Sequence, residues 1–163
     1  MLKKQVIKRY VFLSLSIALA IVIFAFSNQS AQVSSKDSEG LIYFLLTLIS
    51  GIFGWSNQEM LSIVDAIHTL VRKTAHFSIY ALLGVFVLNY VLTYIKSIKR
   101  ASWTTVLVCF LYACSDEIHQ LFIPGRSGEI RDVVIDTLGA AVGVLFMMLT
   151  IEVINRYKRR KKW

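Results

Sequence analysis

Long runs without a charged residue alternate with short charged segments along this chain. The charge-free runs cover residues 10–35, 74–95, 101–115 and 137–151. A helix needs about 20 apolar residues to cross the hydrocarbon core of a bilayer. The first two runs have that length, and the last two reach it if each includes a turn of polar residues. The pattern predicts membrane spans at about 10–28, 74–95, 101–119 and 133–152.

The connection between the first two spans has a helical pattern of its own. Residues 41–55 are apolar, but the run is short and glycines interrupt it, which favours an interfacial or re-entrant helix. Ser56 and Glu59 then have the spacing of a capping box, which marks a helix start. We therefore predict an outer helical segment at about 38–72.

Composition agrees with a membrane protein of one domain. Of the 163 residues, 56% are hydrophobic, and the mean hydropathy is +0.61. The predicted fold is all-α: an integral membrane four-helix bundle over residues 1–163, with the additional interfacial or re-entrant segment between spans one and two.

Basic residues are distributed unevenly between the two ends of the predicted bundle. One end has 13 of the 18 basic residues and one of the ten acidic residues, so it has a net charge of +12 and the other end −4. Because Lys and Arg mark the cytoplasmic side, both termini are predicted to be cytoplasmic in a multi-pass protein. The charge is split over three juxtamembrane segments, which excludes nucleic acid as a partner. The basic tail at 156–163 fits contact with anionic lipid headgroups.

The acidic end concentrates ionisable groups next to the spans. Residues 115–136 contain three Asp, two Glu, two Arg and one His, and they join spans three and four. "FSNQS" at the end of span one and "RKTAHFSIY" at the start of span two lie at the same end. Ionisable groups at membrane depth cost about 2.5–3.5 kcal/mol each and tend to mark functional sites. We expect a polar site there, on the outer face.

Helical spacing predicts which of these side chains meet. Arg72, His76 and Tyr80 lie at i, i+4 and i+8, on one stripe. Asp132 and Asp136 share a face that continues into "GAAVG" at 139–143, whose small residues permit close helix packing.

A second prediction concerns the end of span three. Asp116, His119 and Gln120 are expected on one face, with Glu117 about 100° away. The Pro-Gly turn that follows would end the helix and place Arg126 over the polar groups.

These residues suit two kinds of chemistry. Histidine beside a carboxylate can act as a general acid or base, and arginine at the mouth of a site suits phosphate or carboxylate. Two alternatives stay open. The Asp116–Arg126 and Asp132–Arg72 combinations could be structural ion pairs only. The carboxylates and histidines could also hold a divalent metal, although no spacing is a metal signature, and neither a metal nor another cofactor is predicted.

Three segments and the basic tail also carry a family resemblance. The segments are "FSNQS", "RKTAHFSIYALLG" and "SDEIHQLFIPGRSGEIRDVVIDTLGAAVG". With the tail, they resemble the VanZ-like family over nearly the whole chain. Members of this family often have Glu two positions after His-Phe, where this chain has Ile79. The resemblance assigns the family's motif positions to Gln29, Arg72, Lys73, His76, Tyr80, Asp116, Glu117, His119, Gln120, Arg126, Asp132 and Asp136.

The resemblance implies a small bacterial cell-membrane protein whose family is associated with resistance to teicoplanin, a lipoglycopeptide antibiotic. Combined with the residues above, it predicts a protein that binds or acts on a cell-wall or lipid-linked anionic ligand, with membrane lipids as partners. Arg72, Lys73 and Arg126 would hold an anionic headgroup. His119, oriented by Asp116, would act as acid or base, with His76 across the cleft and Glu117 nearby. The alternative is a membrane-embedded hydrolase or transferase of phosphate-bearing lipids.

Overall fold

A computed structural model describes residues 2–161, and every regular element among them is a helix. The all-α prediction is therefore confirmed for this part of the chain. Lys162 and Trp163, which end the predicted basic tail, lie outside the described residues. The five helices are α1 (Leu2–Ser27), α2 (Ala31–Phe53), α3 (Asn57–Val91), α4 (Ile98–Gln120) and α5 (Ile130–Arg160).

Three of the helices, α1, α3 and α5, are long and apolar enough to cross a membrane, judged by length and composition. The first, second and fourth predicted spans lie mainly in these helices, although α3 ends at Val91, before the predicted end of the second span at residue 95. The predicted third span lies in α4, which is less apolar. This helix nevertheless buries a stripe of mostly small side chains along its length, formed by Ala101, Thr105, Cys109, Ala113 and Asp116.

Glycine brings α3 and α5 into backbone contact, as the small residues of "GAAVG" predicted. A Cβ atom added to Gly139 would lie 2.3 Å from the carbonyl oxygen of Phe77. At Gly143 it would lie 1.9 Å from the carbonyl oxygen of Ala81. No other residue fits at these separations. The close contact buries Asp136, which lies one turn before Gly139 on the same face of α5.

Contacts at both ends of the bundle show how the helices are oriented. Phe77 faces Gly139 and Ala81 faces Gly143, so α3 and α5 run parallel. Helix α1 runs the other way, because Arg9 near its start contacts Thr93 just after the end of α3. Helix α4 also runs opposite to α5, since its last turn packs beside the start of α5. The polar site lies at the end of the bundle where α1 and α4 finish.

No helix boundary marks the predicted change from the outer segment to span two, near residues 72–74. A single helix of 35 residues runs from Asn57 to Val91 without a break, a length of about 52 Å. "VRKTAHF" contains no Gly or Pro, so nothing in the sequence ends the helix there. The predicted start is confirmed, because Ser56 and Glu59 form both hydrogen bonds of the capping box.

The first half of α3 pairs with α2 as an antiparallel helical hairpin. Helix α2 ends at Gly54, which has a left-handed φ of 69°. Ile42 and Leu46 of α2 pack against Met60 and Val64 of α3 in a small core separate from that of the bundle. This outer hairpin extends beyond the polar end of the bundle.

Candidate functional site

Three acidic side chains meet inside the bundle near the polar end. Asp116 and Glu117, on the last turn of α4, are 3% and 5% exposed, and Asp136 of α5 is 0% exposed. One carboxylate oxygen from each residue lies within 4.8 Å of the others. We refer to these three residues as the carboxylate cluster.

Hydrogen bonds orient two members of the cluster. Ser27, the last residue of α1, donates from Oγ to Asp116 Oδ2 at 2.7 Å. Gln120 Nε2 donates to Glu117 Oε1 at 3.1 Å and, less closely, to Asp116 Oδ2 at 3.4 Å. The backbone N–H of Glu129 donates to Glu117 Oε2 at 2.9 Å. Asp116 and Glu117 are therefore fixed in position by α1, α4 and the loop before α5.

The remaining oxygens of the cluster lack a hydrogen bond. Asp116 Oδ1 and both carboxylate oxygens of Asp136 are buried without a partner within residues 2–161. The hydroxyl of Tyr80 shares this property and is fully buried. His76 Nδ1 lies 3.9 Å from Asp136 Oδ2, too far for a hydrogen bond but close enough for a favourable charge interaction when the ring is protonated.

Arg126 closes the site from the loop between α4 and α5. Its guanidinium donates to the carbonyl oxygens of Gln29 (3.1 Å) and Phe26 (3.3 Å) and to Oε1 of Gln120 (3.1 Å). These acceptors are neutral, so they leave its positive charge uncompensated. Burial, together with repulsion from Arg72, lowers the pKa of Arg126 from its ordinary value. The predicted Pro-Gly turn is present, with Gly125 at a left-handed φ of 75°.

The three basic residues of the site differ in how their charge is balanced. Lys73 Nζ donates to Asp132 and lies 3.6 Å from Glu129. Arg72 and Arg126, by contrast, form no ion pair with any carboxylate among residues 2–161. The Asp116–Arg126 and Asp132–Arg72 ion pairs, one of the open alternatives, are therefore not formed, and Asp132 pairs with Lys73 instead.

Two cavities adjoin at this end of the bundle. A polar cavity of about 110 Å³ is lined by Arg72, Lys73, His76, Arg126, Asp132 and Asp136, among others. An apolar cavity of about 250 Å³ lies between α1, α2 and α3, with Ile23, Phe26, Leu41, Val71 and Ile79 in its walls. Arg72 and His76 line both cavities. A polar compartment with both basic and acidic side chains in its walls thus opens beside an apolar one.

The structure brings together most of the predicted site residues. Arg72, Lys73, His76, Gln120, Arg126, Asp132 and Asp136 line the polar cavity, and Asp116, Glu117 and Tyr80 lie in the buried layer next to it. Gln29 lines the apolar cavity and donates from Nε2 to Asp37 at 3.3 Å.

His119 is the exception, and its expected orientation by Asp116 is wrong. Its ring stacks on Phe24 with centroids 4.6 Å apart, and Nε2 lies 3.4 Å from Asn28 Oδ1. Glu117 and Gln120, not His119, share the buried face with Asp116. The side chain that donates to Asp116 most closely is that of Ser27, which is not among the predicted site residues. Its signal in the sequence is its place in "FSNQS", where the apolar run of α1 becomes polar.

Long apolar helices that enclose a buried polar site define a helical membrane protein. The family comparison identifies it more closely: the VanZ/LLP1 family model matches residues 12–151. The chain belongs to this family, as the sequence motifs predicted. Neither the curated proteins nor the solved structures that were compared with it gave a match.

Proposed function

We propose that this VanZ-like protein binds an amphipathic anionic ligand of the bacterial cell membrane, such as a lipid-linked phosphate that serves cell-wall synthesis. The phosphate-bearing head would lie in the polar cavity. The hydrocarbon chain would lie in the apolar cavity or extend from it between helices.

The observation that carries this proposal is the junction of the two cavities at Arg72 and His76. A lipid phosphate has an anionic end joined directly to an apolar end, and the paired cavities offer the same two environments side by side. Arg72 and Arg126 supply guanidinium groups without an ion-pair partner in the described chain. Guanidinium groups bind phosphate through charge-assisted, often bidentate hydrogen bonds.

The same proposal includes an orientation in the membrane. Helix α4 packs beside α3 and α5 along its length, and in this arrangement it crosses the bilayer with them as a fourth span. Both termini then lie on the cytoplasmic side with most of the Lys and Arg residues. The site and the outer hairpin of α2 and α3 lie on the other side, where α2 rests at the membrane interface.

A test compares three probes in nanodiscs of uncharged lipid: dodecyl phosphate, dodecanol and inorganic phosphate. Binding to the purified chain is measured by microscale thermophoresis. Dodecyl phosphate is expected to bind more tightly than either of the others, because only it fills both cavities. Equal affinity for dodecyl phosphate and dodecanol would show that the anionic head is not recognised.

The second candidate function is hydrolysis or group transfer on a phosphate-bearing lipid. It is favoured by His76, which lines both cavities and lies 3.9 Å from Asp136. In this function His76 would accept a proton from a water or alcohol as that oxygen attacks phosphorus, and Asp136 would stabilise the imidazolium. The bond between phosphorus and the lipid oxygen would break in the same displacement, and the imidazolium would return its proton to the departing lipid alkoxide. The same dodecyl phosphate sample, assayed for released inorganic phosphate over several hours, separates turnover from binding alone.

A further inference from the structure

We propose that Asp116, Glu117 and Asp136 bind one divalent metal ion of the hard class, Mg²⁺, Mn²⁺ or Ca²⁺. This inference goes beyond the proposed lipid binding and does not rest on it, because it depends only on the carboxylate cluster and its immediate neighbours.

The first argument is charge balance. Three carboxylic groups with oxygens within 4.8 Å of each other are buried among helices. Like charges at this separation oppose ionisation, and burial opposes it further, unless a positive charge or protons compensate. Within residues 2–161 the closest basic group to the cluster is His76, at 3.9 Å from Asp136. Lys73 is paired with Asp132, and Arg126 reaches the cluster only through Gln120.

The second argument is that the oxygens fall into two sets. Ser27, Gln120 and the backbone of Glu129 hold one set and so fix the carboxylate planes. The other set, Asp116 Oδ1 and both oxygens of Asp136, is buried with no donor within the described chain. Buried acceptors of this kind are rare in folded proteins, and each one calls for a partner. In Asp116 one oxygen is held by Ser27 and the other is free, which is also how ligating carboxylates are oriented around metals.

Tyr80 provides a third, independent observation. Its side chain is 0% exposed, and its hydroxyl has no partner among residues 2–161. Tyr80 lies one turn after His76 on the same side of α3, and His76 Nδ1 lies 3.9 Å from Asp136 Oδ2, so the hydroxyl belongs to the buried layer that contains the unpaired oxygens. A hydroxyl at this position can donate to a ligating carboxylate or accept from a metal-bound water.

Geometry and donor type select the ion. Metal–oxygen distances are about 2.0–2.6 Å for Mg²⁺ and Ca²⁺, so oxygens around one ion lie up to about 4–5 Å apart, as they do here. A set made only of carboxylate oxygens suits Mg²⁺, Ca²⁺ or Mn²⁺ and does not suit metals that prefer thiolate or imidazole. Asp136 also lines the polar cavity, so further ligands, water or an anionic oxygen, can approach the ion from there.

Mn²⁺ serves as the probe, since the loss of its free-ion EPR signal reports binding. The full chain is purified in neutral detergent, stripped with EDTA, freed of chelator and titrated with Mn²⁺ without added lipid. The expected result is one Mn²⁺ per chain, displaced by excess Mg²⁺ or Ca²⁺, together with a rise in Tm on binding. Because no lipid phosphate is present, the outcome is separate from that of the dodecyl phosphate experiment.

Variants assign the bound ion to the cluster. Asp136→Asn and Glu117→Gln are each expected to weaken Mn²⁺ binding at least 100-fold and to abolish the rise in Tm. Asp65→Asn, which changes an exposed carboxylate on the outer hairpin, should leave both unchanged. Both cluster variants remove a buried charge, and gel filtration with the Tm in EDTA verifies that they fold.

Three outcomes would overturn the proposal. The first is that wild type binds no Mn²⁺, and the second is that both cluster variants fold and still bind it with wild-type affinity. The third is a Tm that does not change when Mn²⁺ is added but rises as the pH is lowered. That result would mean that protons, shared between the carboxylates, balance the charge instead of a metal.

Discussion

Ser27 at the end of α1 and Asp116 at the end of α4 are joined by a buried hydrogen bond of 2.7 Å between Oγ and Oδ2, across 89 positions of sequence. Ser27 is 0% exposed and Asp116 3%. The bond joins two helices that have few other contacts with each other, and it does so at the edge of the carboxylate cluster.

Ser27→Ala is therefore expected to destabilise the protein by about 1–3 kcal/mol, the range for a buried hydrogen bond to a charged or acidic group. Ser16→Ala is the matched control on the same helix, because Ser16 Oγ bonds only to the carbonyl of Phe12 one turn earlier. Thermal unfolding in detergent, followed by circular dichroism, should show a clear drop in Tm for the first variant and little change for the second. Equal Tm values would mean that the bond contributes nothing to stability.

Gly143→Ala tests the close packing of α3 and α5. The added Cβ would lie 1.9 Å from the carbonyl oxygen of Ala81, so the helices must separate, and a loss of about 1–3 kcal/mol or more is expected. A Cβ atom added to Gly51 in α2 would have no atom within 4 Å. Gly51→Ala should therefore increase the free energy of unfolding by a few tenths to about 1 kcal/mol through helix propensity. The two variants should shift Tm in opposite directions. A stable Gly143→Ala protein would contradict the helix contact.

Arg72→Gln and Arg126→Gln should each weaken binding of dodecyl phosphate about 10- to 100-fold, the equivalent of one charge-assisted contact. Arg131→Gln alters an exposed arginine outside both cavities and should bind normally. Thermophoresis in the same nanodiscs compares the three. An effect of similar size in all three would indicate general electrostatic attraction and not a site.

The two histidines should differ. His76→Gln is expected to reduce dodecyl phosphate binding, and any phosphate release, because the ring lines both cavities. His119→Gln loses the stacking on Phe24 and should retain binding within about twofold, with a small loss of stability. The reverse pattern, with His119 required and His76 dispensable, would exclude the arrangement proposed for the site.

In a susceptible Gram-positive host, expression of the wild type is expected to raise tolerance to teicoplanin more than to vancomycin. Arg72→Gln at equal membrane level should not do so, because it lacks one guanidinium of the anion site. Minimum inhibitory concentrations with immunoblots measure this. Unchanged tolerance at good expression would show that this chain does not confer glycopeptide resistance. The result of the lipid-binding experiment would not be affected.

Sequence alone predicted the helical class, the meeting of polar residues at one end and the close packing at Gly139 and Gly143. These features follow from local patterns: apolar length, charge position and small-residue spacing. The continuity of α3 through Lys73 could also have been predicted, because no helix-breaking residue separates the two predicted segments. The charged residues Arg72 and Lys73 suggested a boundary between two segments, but the helix is continuous there.

The position of His119 could not be predicted from α4 by itself. Successive residues are about 100° apart on a helix, so His119 and Glu117 flank Asp116 on opposite sides. Either could face the interior. Which one does depends on where α1 and α5 pack, and this is a property of the assembled bundle.

The backbone contact at Gly139 and Gly143 also bears on how much this sequence can vary. Since main-chain atoms set the spacing of α3 and α5 there, replacement of the surrounding apolar side chains leaves His76 and Asp136 at the same separation. Substitutions of exposed apolar side chains on these two helices are therefore expected to leave the site intact, whereas substitutions of the two glycines are not.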